Sequence, residues 1–189
     1  DIIRKLKGDV QFIKKNQLII TDNAIQDTKD NVLYMNVNTI MISGLDTLVC
    51  DSMVYWSELD SGYAMGNVHY IQPEDDRRLT TELFHYWDTE GYRGSSFNTV
   101  GYTRVTEYDQ LITANEISYD DDTQIMKLVT NASIENLSQG IFGDKMLIQY
   151  ADSIVEQIIV TSNAFAYNDL NIKIEKDGPS RRFRDEMSS

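Results

Sequence analysis

One pattern returns five times along this chain, and it restricts the fold more than any single residue does. Each copy opens on a leucine or isoleucine, meets an acid or asparagine three to four residues later, and alternates through apolar positions toward a tyrosine. The leading residues are Leu18, Leu48, Leu79, Leu111 and Ile141, spaced 30, 31, 32 and 30 residues apart. The fullest copies read L48-V-C-D-S-M-V-Y-W and L111-I-T-A-N-E-I-S-Y, and after a polar turn come runs such as A64-M-G-N-V-H-Y and L128-V-T-N-A-S-I. A fixed period of this size means one supersecondary unit stacked on itself. The alternation has period two, so the unit is a β-hairpin and the chain is an elongated stack of antiparallel strands.

The punctuation agrees. Polar segments such as K14-K-N-Q, E58-L-D-S-G, P73-E-D-D-R-R, T89-E-G, D120-D-D-T-Q and A151-D-S have turn composition at meander spacing. No segment sustains a helical period, and the one helical candidate is a short turn near Ile2–Leu6. Leu48 and Cys50 share one parity while Met53 and Tyr55 share the other, so the strand must bend or bulge between them. A strand bent in its middle can present two faces to one interior, which yields a folded-over sheet open along one side.

Composition removes several classes of function. The chain of 189 residues carries a net charge of −13, which opposes nucleic acid. Its hydrophobic fraction of 41% is enough for a core. Cys50 is the only cysteine, so it forms no internal disulfide or cysteine zinc cage, and a small buried apolar role suits it. No apolar run is long enough to span a membrane as a helix. Asp1 stands where an initiator Met would, which reads as a trimmed or mature fragment.

Catalytic groups are sparse. His69 and His85 sit on the parity opposite their aromatic neighbours, as exposed strand histidines do, and neither pairs by spacing with a nucleophile. Asp120, Asp121 and Asp122 lack the glycine and distant glutamate of a calcium loop. Asn131-Ala-Ser133 and Asn136-Leu-Ser138 fit the glycosylation sequon, a pattern frequent by chance. Gly91, Gly94 and Gly101 are too scattered for a phosphate loop. The sequence therefore indicates no enzyme, no cofactor and no metal. What remains is the set of apolar and aromatic strand residues, which either fill an interior or line a groove.

The motifs G8-D9-V10, L48-V-C-D51-S-M-V-Y55, M65-G66-N67-V68-H-Y70, L79-T-T-E82-L-F-H-Y86, T113-A-N-E-I-S-Y119, T130-N131-A132, G143-D144-K-M146 and S162-N163-A164 resemble the repeat of the OstA-like family, the lipopolysaccharide-transport periplasmic proteins of the LptA type. Two places depart from the pattern: V37-N-T-I has no glycine, and the region 91–101 has S-F-N-T-V at its corner. The resemblance implies an all-β open β-jellyroll, or β-taco, and the domain is expected over residues 1–174. Segment 175–189 is charged, carries Gly178-Pro179 and does not alternate, so it reads as a tail or linker in which Arg181, Arg182 and Arg184 are solvated rather than a basic binding patch. It further implies a periplasmic protein that carries lipid A acyl chains in an apolar groove, joined by edge strands to similar jellyroll domains or to copies of itself.

The candidate groove residues are Met53, Tyr55, Met65, Val68, Tyr70, Phe84, Tyr86, Ile117, Tyr119, Leu128, Met146, Ile148 and Tyr150. Unpaired edges are expected near V10-Q-F-I-K and near N163-A-F-A-Y or I172-K-I, blocked only by Lys14, Lys15 and Lys173. Two other readings fit a β-repeat. One is a right-handed β-helix acting on polysaccharide, with Asn67, Asn131 and Asn163 stacked in a ladder; the other is a filled structural scaffold.

Overall fold

A computed structural model describes residues 3–14, 16–88, 95–151, 154–172 and 181–188. The turn at Gly91 and Gly94, the edge lysines Lys15 and Lys173, and positions 175–180 and 189 of the charged segment lie outside them. Six long strands open the chain as a meander: β1 (Ile3–Lys14), β2 (Gln17–Asp27), β3 (Val32–Ser43), β4 (Asp46–Trp56), β5 (Ser61–Gln72) and β6 (Arg77–Asp88). Of the short turn expected near Ile2–Leu6, residues 3–6 are instead the start of β1, and Ile2 lies outside the described residues. The next two strands are broken at their middles, into β7 (Ser95–Val100) with β8 (Thr103–Glu107), and β9 (Gln110–Ala114) with β10 (Glu116–Asp120). There follow β11 (Ile125–Glu135), β12 (Gln139–Ala151), a last broken strand made of β13 (Ile154–Thr161) and β14 (Phe165–Ile172), and β15 (Arg181–Ser188). Every pairing is antiparallel, and all strands belong to one sheet.

The middle of each long strand is a bend. On alternate strands two successive residues take left-handed backbone: Gly8-Asp9, Val37-Asn38, Gly66-Asn67, Thr130-Asn131 and Ser162-Asn163. The ladder register skips at these points. Three of the asparagines tie the bend to the preceding strand through a carboxylate at 2.8 Å, Asn38 to Asp22, Asn67 to Asp51 and Asn163 to Asp144. The repeated acid and asparagine of the sequence pattern are therefore bend-forming groups. The copy over 91–101 keeps the device with Gly101 alone, at φ 92°. Val37 and Thr130 hold left-handed φ without glycine, a costly state for β-branched residues.

The bend folds the sheet onto itself. Half-sheet I holds residues 10–14, 17–21, 39–43, 46–50, 68–72, 77–81, β8, β9, 132–135, 139–143, β14 and β15. Half-sheet II holds 3–7, 23–27, 32–36, 52–56, 61–65, 82–88, β7, β10, 125–129, 144–151 and β13. Their inner faces meet in a single core. At the apex the halves converge and only small side chains fit: Thr21, Thr39, Cys50, Thr81, Thr103, Ala114 and Ala132 are all buried there. The threonines satisfy one another, Thr21 with Thr39 at 3.1 Å and Thr81 with Thr103 at 3.0 Å.

The edges differ from the expectation at one end. β1 is the N-terminal edge and contains Val10–Lys14, as expected. At the other end β14 is covered by β15, so Phe165–Tyr167 is not an edge. Residues 181–188, read above as tail, pair with β14 along eight residues. The outermost strands there are β15 on half-sheet I and β13 on half-sheet II, and β13 exposes Ile154, Val155 and Ile159.

Val37→Gly should raise stability by about 1 kcal/mol, because the left-handed cost of a β-branched residue disappears while its side chain, half in solvent, loses little burial. Gly66→Val should do the opposite, since a Cβ there meets Asp51 Oδ2 at 2.5 Å. Urea denaturation of both variants measures the pair.

Candidate functional site

Two rows of apolar side chains run across the strands and face each other. On half-sheet II the row passes from Leu33 through Tyr55, Gly62, Tyr86, Phe97, Tyr119, Met126 and Ile148, each directly opposite the next in the ladder. Gly62 makes room for the neighbouring ring, since a Cβ there would lie 2.9 Å from Tyr86 Oη. On half-sheet I the row passes from Phe12 through Ile19, Met41, Leu48, Tyr70, Leu79, Val105, Ile112, Ile134 and Ile141. Aromatic rings cross the gap: Tyr70 lies 5.1 Å from Phe84 and 6.4 Å from Phe97.

Twelve of the thirteen candidate groove residues face this interior and are buried: Met53, Tyr55, Val68, Tyr70, Phe84, Tyr86, Ile117, Tyr119, Leu128, Met146, Ile148 and Tyr150. Met65 does not. It is half-buried on the outer face, and Ala64 holds the inward position at 0% exposure. The reason is the bend. On β4 the phase changes between Cys50 and Met53, but on β5 the left-handed pair Gly66-Asn67 turns the strand and leaves Ala64 and Val68 in phase.

The wall on half-sheet I is largely absent from the candidate set. Its residues are the leading positions of the repeats, so the signal was present as the repeat itself. In two copies the inward residue is one later than the first leucine: Ile19 and Ile112 are buried at 2% and 1%, while Leu18 and Leu111 are only half-buried.

Along the open side the halves are joined by a few polar links. At the N-terminal end Lys14 Nζ binds Asp60 Oδ1 at 2.5 Å and the Ser57 carbonyl, and Tyr55 Oη donates to Gln17 Oε1 and Asp60 Oδ1, both at 2.7 Å. Midway, Tyr86 Oη donates to Met41 Sδ at 3.2 Å. Further on, Arg77 of half-sheet I is buried with Glu107 at 3.0 Å and Gln72 at 3.2 Å. Its guanidinium lies 5.4 Å from the Tyr119 ring centroid and 5.8 Å from that of Tyr150, both on half-sheet II. Tyr150 Oη donates to Glu107 at 3.3 Å. Burial opposes the Arg77 charge, but the Glu107 carboxylate outweighs it and raises the pKa. Burial also lifts the Tyr119 phenol to about 12, helped by the Asp121 charge.

A space of about 20 Å³, room for about one water molecule, lies among Met41, Leu48, Tyr70, Phe84 and Tyr86. A further space, about 170 Å³, lies between the halves at β1–β4.

The other polar candidates take structural roles. His69 and His85 are on the outer face, with His85 stacked at 4.2 Å on Tyr63 and its pKa lowered by burial. Asp120 accepts the Thr123 amide, and Asn136 accepts those of Ser138 and Gln139, as turn residues do. Among the described residues no group of three or more His, Cys, Asp or Glu could hold a metal.

No family model and no curated protein matches the chain. The solved structures it is similar to include one at 10% identity, over 90% of this chain and 93% of that chain, with a TM-score of 0.33. It is LptH, the LptA-homologous periplasmic component of the lipopolysaccharide transport device of Pseudomonas aeruginosa.

Glu107→Gln should cost about 3–5 kcal/mol in chemical denaturation, because it strands a buried guanidinium, whereas Arg77→Met with Glu107→Leu should cost far less. Burial pushes the Cys50 thiol up to about 12, so a maleimide at pH 8 should leave the native protein unlabelled and modify it promptly in urea. Labelling at equal rates would show that the apex is open to solvent.

Proposed function

We propose that this domain binds the acyl chains of lipopolysaccharide between its two half-sheets and passes them across the periplasm toward the outer membrane. The observation that carries the reading is the pair of facing apolar rows, continuous across the strands and joined along the open side by side chains alone. The repeat pattern, which resembles that of the OstA-like family over most of the chain, points the same way.

Walls joined by the bent strands at the apex and by a few polar links at the lips can separate without breaking the sheet. Separation exposes apolar surface, and an acyl chain restores the lost burial at about 0.8 kcal/mol per methylene. The cargo and the side chains of the opposite wall thus compete for the same surface. A few chains outweigh the repulsion between an acidic protein and an anionic headgroup. No covalent step is needed, and passage along the rows requires only that neighbouring stretches offer similar surface.

The antiparallel pairing excludes a right-handed β-helix, whose coils pair in parallel, and its asparagine ladder is replaced by the bend asparagines. A filled scaffold is the second reading, favoured by the dense packing between Met41 and Ile148. Native mass spectrometry after incubation with lipid A separates the two. The transport reading expects a lipid-bound species that Tyr119→Asp, at the rim of the interior, reduces several-fold while the melting transition persists. A protein that takes up no lipid, or a Tyr119→Asp variant that unfolds outright, supports the scaffold.

A further inference from the structure

The space at the N-terminal end has a specific origin. The row of half-sheet II that carries Tyr55, Tyr86, Phe97 and Tyr119 continues in the other direction through Leu33, Gln26 and Arg4, each opposite the next. The rings stop at Tyr55, and smaller or polar side chains cannot reach the facing wall. What they leave is the cavity of about 170 Å³, bounded by Phe12, Ile19, Leu33, Tyr55, Gln17 and Gln26. An apolar cavity of about 150 Å³ is large enough to take benzene. This one is apolar at its base and polar toward the lips.

Charge along β1 runs against the chain as a whole. The chain is at −13, yet β1 holds four basic residues, Arg4, Lys5, Lys7 and Lys14, and one acid, Asp9. It meets Asp60 and the Glu58 bonded to Asn31 at the same end. Two of those cations lie on inward register positions on opposite lips. Arg4 pairs with Gln26 on half-sheet II, and Lys14 pairs with Gln17 on half-sheet I. Lys14 lines the cavity itself, and its ammonium is partly solvent-exposed beside Asp60.

We propose that this mouth is a binding site for an anionic single-chain segment of an amphiphile. The end of one acyl chain occupies the cavity against Ile19 and Leu33. Its anionic group, carboxylate or phosphate, lies between Lys14 and Arg4 and takes the place of Asp60 on the lysine. The site rests on the acyl-binding reading above and adds where a chain is first held and which headgroup charge is selected. A neutral headgroup would gain the cavity but not the cations, and a cationic one would meet both of them.

The test compares dodecyl phosphate with dodecyl maltoside, which share a chain and differ in charge, by calorimetry below their micelle concentrations. Methyl NMR locates the chain. Dodecyl phosphate should bind the more tightly of the two and shift the Ile19 and Leu33 methyls. Leu33→Trp fills the cavity from its base, and Gln26→Trp fills it from a half-buried position that tolerates bulk. Each should weaken both ligands by about tenfold, the equivalent of two methylenes of burial. Lys14→Gln and Arg4→Gln should each weaken dodecyl phosphate by about threefold, as exposed ion pairs do, and leave dodecyl maltoside unchanged. Equal affinity for the two ligands in the unmodified protein overturns the proposed charge selection. Shifts at Met146 and Ile148 instead, with both cavity-filling variants without effect, overturn the mouth while leaving acyl binding in the interior intact. Binding of neither ligand removes both.

Discussion

Every part of this fold depends on a bend of two residues in the middle of a strand. A straight meander of this length would be a flat sheet with both faces in water, and its apolar positions could not be buried. The left-handed pairs at Gly8-Asp9, Val37-Asn38, Gly66-Asn67 and Thr130-Asn131 turn one sheet into two facing halves without interrupting the chain. The strand before each pair skips one residue of alternation, as β4 does at Asp51. The carboxylate–asparagine contacts then lock neighbouring bends to each other. Because the device is local and repeated, the fold grows by adding hairpins, as repeat proteins do.

The same geometry sets where the protein is firm and where it can yield. The apex is narrow and closed by threonine, alanine and cysteine side chains, with backbone ladders on both sides. The open side has no ladder. It is held by Lys14 with Asp60, by Tyr86 with Met41, and by Tyr119 and Tyr150 of half-sheet II, whose rings pack on Arg77 and of which Tyr150 donates to Glu107. An exposed ion pair contributes little, whereas buried hydrogen bonds to a charged group and cation–ring contacts are stronger. The cluster around Arg77 is therefore the strongest of the three fastenings, and the N-terminal end the weakest.

Much of this was legible in the sequence, because a period of about 31 residues and alternation of period two both survive in one dimension. The antiparallel stack, the bend and most of one interior wall follow from them. What was hidden is three-dimensional. Met65 reads as inward only if every bend changes phase, and a left-handed pair does not change it. Ile19 and Ile112 were displaced by one residue because Leu18 and Leu111 precede them and are equally apolar. The Arg77–Glu107 link joins residues 30 apart, and nothing in either neighbourhood marks the other as its partner. The cover that β15 gives β14 was obscured because its residues are charged and do not alternate.

The central claim is that the interior is filled when empty of cargo and widens at the lips to admit it. Spin labels at Asp109, in the β8–β9 turn, and Asp122, in the β10–β11 turn, report that gap directly, since both are exposed and stand on opposite half-sheets. Pulsed dipolar spectroscopy with and without lipid A should show the distance lengthen on loading, while a pair within half-sheet I, at Asp109 and Leu137, keeps its spacing. Lipid A bound at saturation with the lip distance unchanged would contradict the account.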